Sequence, residues 1–527
     1  MTSAADTELS RRNLLAAAGL LGAGLASPPV RAQQAMGGGP PRPESSPAPP
    51  VSGLHLQFGA DASSEVTVSW HSLQPVEHPR VLIGELDGRL VRTAPAALRS
   101  YLDAKSGRTV YAFHARVEGL LPDHAYLYAA LHEGGLPAFG TVRTAPKGRA
   151  RFTFTSFGDQ GTPTLGKRFK PPKGVTLADA PFVNDNLGSP AAADTTSGVE
   201  RLGPLFHLFN GDLCYANLAE DRVRAWWDFW ANNSRSARNR PWMPSPGNHE
   251  NELGNGPIGY RAYQTYFSLP PAKGQTELTH GLWYAFTAGS VRVIAIANDD
   301  VCYQQGGDSF VRGYSAGAQK AWLESELAAT RADTSIDWIV VCMHQVAIST
   351  AGEGFNGADL GIREEWLPLF DRYGVDLVVC GHEHHYERSH PIRGHELNRT
   401  RTPLPAASGT QVIDTTRGTV HMVIGGGGTS KPSHEMLTTP PACRVIVASH
   451  PPAGGTGHRI SEYVTEPARW SAVRNAAHAY GFAAFEVDPG NTRDGFTQIE
   501  VTYYDVVGPE GGLEPFERFT LRRPRRG

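Results

Sequence analysis

Five short blocks of this sequence end in residues that bind metal ions well. The last, Cys380-Gly-His-Glu-His-His-Tyr-Glu-Arg388, closes the run Asp376-Leu-Val-Val-Cys380, long enough for one buried strand. In an extended segment residues i and i+2 point the same way, so His382 and His384 are expected to face one metal-sized space. Imidazole suits zinc, iron and similar ions. Upstream stand Phe157-Gly-Asp-Gln-Gly161, Asn210-Gly-Asp-Leu-Cys-Tyr215, Pro246-Gly-Asn-His-Glu250 and, after the apolar run Trp338 to Met343, His344. Each block lies just beyond an apolar run, where α/β sheets gather ligands. Glycines before Asp159, Asp212, Asn248 and His382 permit tight turns and close backbone approach. One Gly-Asp is a common turn; five such blocks in one domain ask for chemistry. Asp159, Asp212, Tyr215, Asn248, His344, His382 and His384 suffice for two metal ions. A shared carboxylate would hold the ions about 3.5–4 Å apart, as in two-metal hydrolases.

Alternating strands and helices must position these blocks. Apolar strand candidates are Phe152 to Phe157, Leu205 to Phe209, Val291 to Ala297, Trp338 to Met343, Leu377 to Cys380 and Val420 to Ile424. Between them, Val223, Trp226, Trp227 and Trp230 form one helical stripe, and Ile362, Trp366, Phe370 and Tyr373 another. We read these aromatics as core packing. Strands return at Gly481 to Val487, Phe496 to Val507 and Phe516 to Leu521. The alternation predicts an α/β domain over 151–527, with layered mixed β-sheets flanked by helices. Residues 160–203 and 428–478 lack a clear pattern and read as long loops. Gly425-Gly-Gly-Gly428 lacks the lysine of a P-loop and reads as a backbone turn near the site.

Residues 51–146 look all-β. Val66, Val68 and Trp70 alternate, as do Tyr111, Phe113, Ala115 and Val117. Short alternating strands between turns predict a β-sandwich, and the stretch resembles a fibronectin type III-like module. Ahead of it, residues 36–50 are a Gly/Pro/Ser-rich linker. Residues 1–35 read as an export signal: Arg11-Arg12 precedes the apolar run Leu14 to Leu25, and Val30-Arg31-Ala32 offers a cleavage site, with Ala35 as an alternative. A twin arginine implies the bacterial route for folded proteins, hence a periplasmic or secreted location. The run is too short and too rich in Gly and Ala to span a membrane, and no later stretch spans one. A net charge of −3 over 527 residues argues against a dedicated nucleic-acid binder. The five cysteines have no zinc-knuckle or redox spacing and read as buried small hydrophobes.

The order Gly158-Asp-Gln-Gly161, Gly211-Asp-Leu-Cys-Tyr215, Gly247-Asn-His-Glu250, Val341-Cys-Met-His344, Gly381-His-Glu-His384 resembles the metallophosphoesterases, and within them the purple acid phosphatases. The resemblance covers residues 151 to the end, and the β module fits the family's larger members. It implies that Asp159, Tyr215 and His384 bind a first metal, ferric iron. Asn248, His344 and His382 would bind a second, iron, zinc or manganese, with Asp212 bridging. It makes His249 the catalytic residue that touches substrate or leaving group, and Glu250, Tyr386, Glu387 and Arg388 supporting residues. Related phosphodiesterases place a histidine ligand where this chain has Gly161; Tyr215 would supply the missing ligand.

The implied activity is hydrolysis of a small phosphate monoester by in-line attack of a metal-bound hydroxide. The alternative is a phosphodiesterase or alkaline-type phosphatase on the same scaffold. An inert metal site beside an adhesive β module is the alternative from another class. The chain departs from the plant-type pattern at Ser349 to Gly357, which holds no histidine. Asn356 and Glu353 are the nearby candidates for phosphate contact.

Overall fold

The structure, a computed structural model, describes residues 48–164, 167–168, 182–183, 188–253, 256–304, 312–451, 459–490 and 495–526. The export signal and nearly all of the linker lie outside the described residues. The N-terminal part is all-β. One four-stranded sheet holds Ser52–Phe58, Val66–Ser72, Thr109–Val117 and Ala97–Leu102, in that order; the other holds Arg92–Pro95, Arg80–Glu85, Ala125–Leu131 and Ala138–Arg143. Alternation puts Leu56, Val68, Trp70 and Phe113 of the first against Val81, Ile83, Tyr128 and Val142 of the second, in one buried cluster.

The remainder is built on two seven-stranded mixed sheets. In the first, Phe152–Phe157, Phe206–Asn210 and Trp242–Ser245 run parallel, and the C-terminal strands Gly481–Asp488, Phe496–Val507 and Gly512–Pro524 extend it antiparallel. In the second, Val291–Ala295, Trp338–Cys342, Leu377–Cys380 and Val420–Ile424 run parallel. Near-continuous Val, Ile, Leu and Phe in these strands reflect burial on both faces. One hydrophobic cluster joins Phe154, Leu208 and Phe485 of the first sheet to Val340, Val379 and Met422 of the second. The sheets also meet at their carboxyl ends, where Gly158 N donates to Ile424 O at 2.9 Å.

The tryptophan stripe forms the helix Arg222–Ala237, started by Asp221, whose carboxylate accepts from Arg224 N at 2.9 Å. Its Trp230 stacks on His55 of the β-sandwich, with ring centroids 3.8 Å apart. The stripe from Ile362 to Tyr373 is two helices, Leu360–Glu365 and Leu367–Tyr373, broken at Trp366 because Pro368 cannot continue the hydrogen-bond ladder. The expected long loops also contain regular structure. Ala191–Leu202 is a helix, and Ala442–His450, Ile460–Pro467 and Ser471–Arg474 are strands.

Candidate metal centre

Every parallel strand named above, Val291–Ala295 and Val420–Ile424 aside, delivers its candidate residues to one rim. Asp159 follows the strand ending at Phe157, and Asp212 and Tyr215 follow the one ending at Asn210. Asn248 and His249 follow Ser245, His344 follows Cys342, and His382 and His384 follow Cys380. The structure brings all eight together: seven form two donor groups, and His249 stands beside them, its Nε2 3.9 Å from Asp212 Oδ2. In the first, Asp159 Oδ1 lies 3.2 Å from His384 Nε2 and 3.2 Å from the Tyr215 hydroxyl, which is 3.3 Å from the same nitrogen. In the second, His344 Nε2 lies 3.0 Å from Asn248 Oδ1, 3.1 Å from Asp212 Oδ2 and 3.1 Å from His382 Nδ1. The extended geometry expected for His382 and His384 is therefore corrected. His382 has φ 70°, in the left-handed region, and the turn sends the two rings into different groups.

Each of the three histidines has one nitrogen already committed. His344 Nδ1 donates to Asn210 O at 2.7 Å, His384 Nδ1 to Lys431 O at 2.6 Å and His382 Nε2 to Gln304 Oε1 at 2.6 Å. Carbonyl oxygens only accept, so the opposite nitrogens present lone pairs. Those lone pairs converge on carboxylate and amide oxygens that are also acceptors. Acceptors facing one another at 3.0–3.2 Å repel unless a cation lies among them. Neighbouring corners of an octahedron with bonds of about 2.1 Å are about 3.0 Å apart, the same spacing. The donor set fits metal ions. Without them a proton takes part of that role. Burial pulls the His344 pKa down, but Asp212 and Asp159 outweigh it and push it up to about 10. Burial, with Asp159 and Asp212 beside it, pushes the Tyr215 phenol well above its usual value, so a phenolate forms here only against a cation.

The backbone is strained where the ligands leave it. Asp159, Asp212, Tyr215 and His382 have φ of 58°, 54°, 54° and 70°, each costing on the order of 1–2 kcal/mol in a residue with a Cβ. Hydrogen bonds between the loops hold them there. His382 N donates to Asp159 Oδ2 at 2.8 Å, and His249 N to Asp212 Oδ1 at 2.9 Å. Glu250 accepts from Asp212 N, Leu213 N and Gly247 N at 2.7–2.8 Å. Two glycines are sterically required. A Cβ on Gly381 would sit 2.2 Å from Asp159 Oδ2 and 2.6 Å from Asn210 O, and one on Gly247 would sit 2.2 Å from Asp212 Oδ1. The Gly425 to Gly428 run packs its backbone on the first strand end, with Gly427 N donating to Gly158 O at 2.9 Å.

Comparisons with known proteins bear on the family and the fold. A model of the purple acid phosphatase N-terminal domain matches residues 51–155, and one of the calcineurin-like phosphoesterases matches residues 189–386. The chain belongs to the purple acid phosphatase family. It is a metal-dependent phosphoester hydrolase. An uncharacterized protein of Mycobacterium tuberculosis (strain ATCC 25618 / H37Rv) is 58% identical over 482 residues, covering 91% of this chain and 88% of that one. Acid phosphatase type 7 of Mus musculus is 25% identical over 442 residues, covering 81% and 83%. The solved purple acid phosphatase of yellow lupin (Lupinus luteus) seeds superposes with a TM-score of 0.64 at 21% identity, covering 90% of this chain and 75% of that one. At that identity the likeness speaks for the fold alone.

Around the centre of this purple acid phosphatase stand residues that motif spacing did not reveal. Asn217 Oδ1 accepts from His249 Nδ1 at 2.8 Å, which leaves His249 Nε2 toward the centre, 3.9 Å from Asp212 Oδ2. Its position two residues past Tyr215 was the available signal. Gln304 lies more than 70 residues from the nearest His-x-His residue, and nothing in the sequence marked it. On the segment that lacks histidines, Asn356 reaches Gln304 and His382, whereas Glu353 is exposed. Among the proposed supporting residues, Glu250 touches the ligand loops directly. Tyr386 and Arg388 turn away to Glu517, and Glu387 accepts from Thr350 N at 2.8 Å. All five cysteines are free and buried.

Proposed function

We propose that this phosphatase hydrolyses small phosphate monoesters with two metal ions in the rim site. Asp159, Tyr215 and His384 would hold ferric iron. Asn248, His344 and His382 would hold iron, zinc or manganese, and Asp212 would be shared. The observation that carries this reading is the convergence of three histidine lone pairs on carboxylate and amide acceptors. Phenolate and carboxylate suit a hard trivalent ion, and imidazole with amide oxygen suits a divalent one. When bound, the ions supply Lewis-acid polarisation of the phosphoryl group and lower the pKa of water.

The chain's own residues orient and close the reaction. The His249 side chain is 23% exposed, so a substrate at the rim can reach it. With Nδ1 tied to Asn217, Nε2 is the atom placed to hydrogen-bond the phosphoryl oxygen or protonate the leaving alcohol. Water adds to phosphorus as the ester P–O bond breaks, giving phosphate and alcohol. Phe355 sits edge-on to His384, with centroids 5.6 Å apart. The test is turnover of a monoester and a diester by metal-loaded protein, across pH. Preference for the monoester on the acid side is expected. Preference for the diester, or an alkaline optimum, would overturn it in favour of the alternative. Arg11-Arg12 before Leu14 to Leu25 supports export by the twin-arginine route. Replacing both arginines with lysine should leave the protein in the cytoplasm; unchanged export would refute this.

A further inference from the structure

The sequence carries no recognisable signal at Gln304, yet this residue closes a ring of hydrogen bonds that begins and ends on His382. Gln304 Oε1 lies 2.6 Å from His382 Nε2. Gln304 Nε2 donates to Asn356 Oδ1 at 2.8 Å. Asn356 Nδ2 in turn faces His382 O at 3.5 Å. Each amide is oriented by the next: Asn356 shows its NH2 to a carbonyl, so its oxygen faces Gln304, so Gln304 must show its oxygen to the imidazole. That oxygen can only accept. His382 Nε2 therefore carries the hydrogen, and Nδ1, 3.1 Å from His344 Nε2, carries the lone pair.

The main chain of Gln304 is held as firmly as its side chain. The Asp359 carboxylate accepts from Gln304 N at 2.8 Å, Tyr303 N at 3.0 Å and Gly361 N at 2.7 Å. Asp359 is buried and lies in the short strand Ala358–Asp359, which pairs with Val445 and Ile446. The other two cradle histidines are oriented by backbone carbonyls, Asn210 O and Lys431 O. His382 alone among them depends on a side chain, and so alone can be reoriented by a substitution that leaves every main-chain atom in place.

We propose that Gln304 is the positioning residue that makes His382 a metal ligand, with Asn356 setting the direction of its amide. The proposal rests on the two-metal reading above. It predicts that the site can be loosened on one side only, because the hydrogen bonds of Gln304 run to His382, Asn356 and Asp359. It also gives the segment Ser349 to Gly357 a role: through Asn356 it orients a ligand.

The test is metal retention by the full-length, metal-loaded protein during titration with a chelator. Wild type is compared with Gln304→Leu and Gln304→Glu. Leucine removes the acceptor, whereas glutamate keeps an acceptor for His382 Nε2–H. Gln304→Leu should release one ion per chain at a chelator concentration about 10–100-fold lower than wild type does, and hold the other like wild type. Gln304→Glu should retain both. Loss of both ions by Gln304→Leu, wild-type retention by it, or identical behaviour of the two variants would overturn the proposal. Wild type holding fewer than two ions before any chelator is added would instead overturn the two-metal reading on which it rests.

Discussion

Two sets of three histidines, all buried except the half-buried His384, occupy this molecule and do opposite things. His55, His71 and His114 lie at the seam between the β-sandwich and the phosphoesterase domain; His344, His382 and His384 form the rim site. At the seam the rings meet aromatic faces, backbone carbonyls and a hydroxyl. His55 stacks on Trp230, His71 packs edge-on to Trp227 and Tyr266, and His114 bonds Ser69 and Thr265. Burial lowers the pKa of His55 to about 4 and of His71 to about 3, and pushes His114 well down. At the rim, burial acts in the same direction, but Asp212 and Asp159 reverse it for His344, and Asp159 does so for His384. Burial alone makes a histidine a neutral packing residue. It becomes a candidate ligand where a carboxylate and a second lone pair share its pocket.

The widest separation between the two sets is expected from Asp212→Ala. Removing the carboxylate proposed to be shared should lower kcat/KM on the order of 10³-fold, about 4 kcal/mol of transition-state stabilisation, and release metal. A seam variant such as His71→Gln should leave kcat/KM within about twofold of wild type. Comparable losses in both would erase the distinction.

The seam should instead govern stability against acid. A histidine whose folded pKa is depressed leaves the unfolded chain binding more protons. Its contribution is full above about 6.5 and is lost as pH falls toward about 4 for His55 and about 3 for His71. His55 alone accounts for about 3 kcal/mol over that window. Glu252, in the same seam beside Trp226 and Arg222, has the opposite sign. Burial raises its pKa to about 7, so its share is present below about 4.5 and lost as pH rises through 7. His71→Gln should therefore flatten the fall in unfolding free energy between pH 6.5 and 4, measured by urea titration, and leave the slope above pH 6.5 alone. An unchanged acid slope would contradict the assignment.

Smaller effects sharpen the contrast, two of them in the rim and one, at Gly148, outside it. Gly381→Ala pushes a methyl into Asp159 Oδ2 and Asn210 O, at a cost of about 1–3 kcal/mol, and should lower metal retention. Gly148→Ala has open space and only a positive φ of 73° to pay for; it should cost about 1 kcal/mol of stability and no metal. Asn217→Ala frees the His249 ring and should lower kcat about tenfold with both ions retained. Metal loss in that variant would move Asn217 from substrate handling to ligand support.

The strand ends were legible because metal chemistry demands particular residue types in a fixed order, and because doubly buried strands read as apolar runs. The helix Ala191–Leu202 was not legible for a physical reason. Its inner face is mixed: Ala192 and Val199 are buried, but between them Thr195 donates to Gly427 O at 2.6 Å, Thr196 to Asn233 Oδ1 at 2.7 Å, and Gly198 leaves room for Phe482. The small and polar residues interrupt the apolar stripe. The divergence of His382 from His384 was hidden because period-2 alternation assumes an extended chain, and His382 is left-handed. Gln304 and Asn217 act through single hydrogen bonds across folded distance, which leave no periodicity. The seam histidines and the rim histidines are alike in composition, and only the spacing around Gly381 and Val341 set the latter apart.

The central claim is tested most directly by the metal content and visible absorption spectrum of the metal-loaded protein, with Tyr215→Phe measured beside it. Two ions per chain, and a visible charge-transfer band that disappears in Tyr215→Phe, are the predicted result. An active protein with fewer than two ions, or an iron-loaded protein whose spectrum is unchanged by Tyr215→Phe, would contradict it.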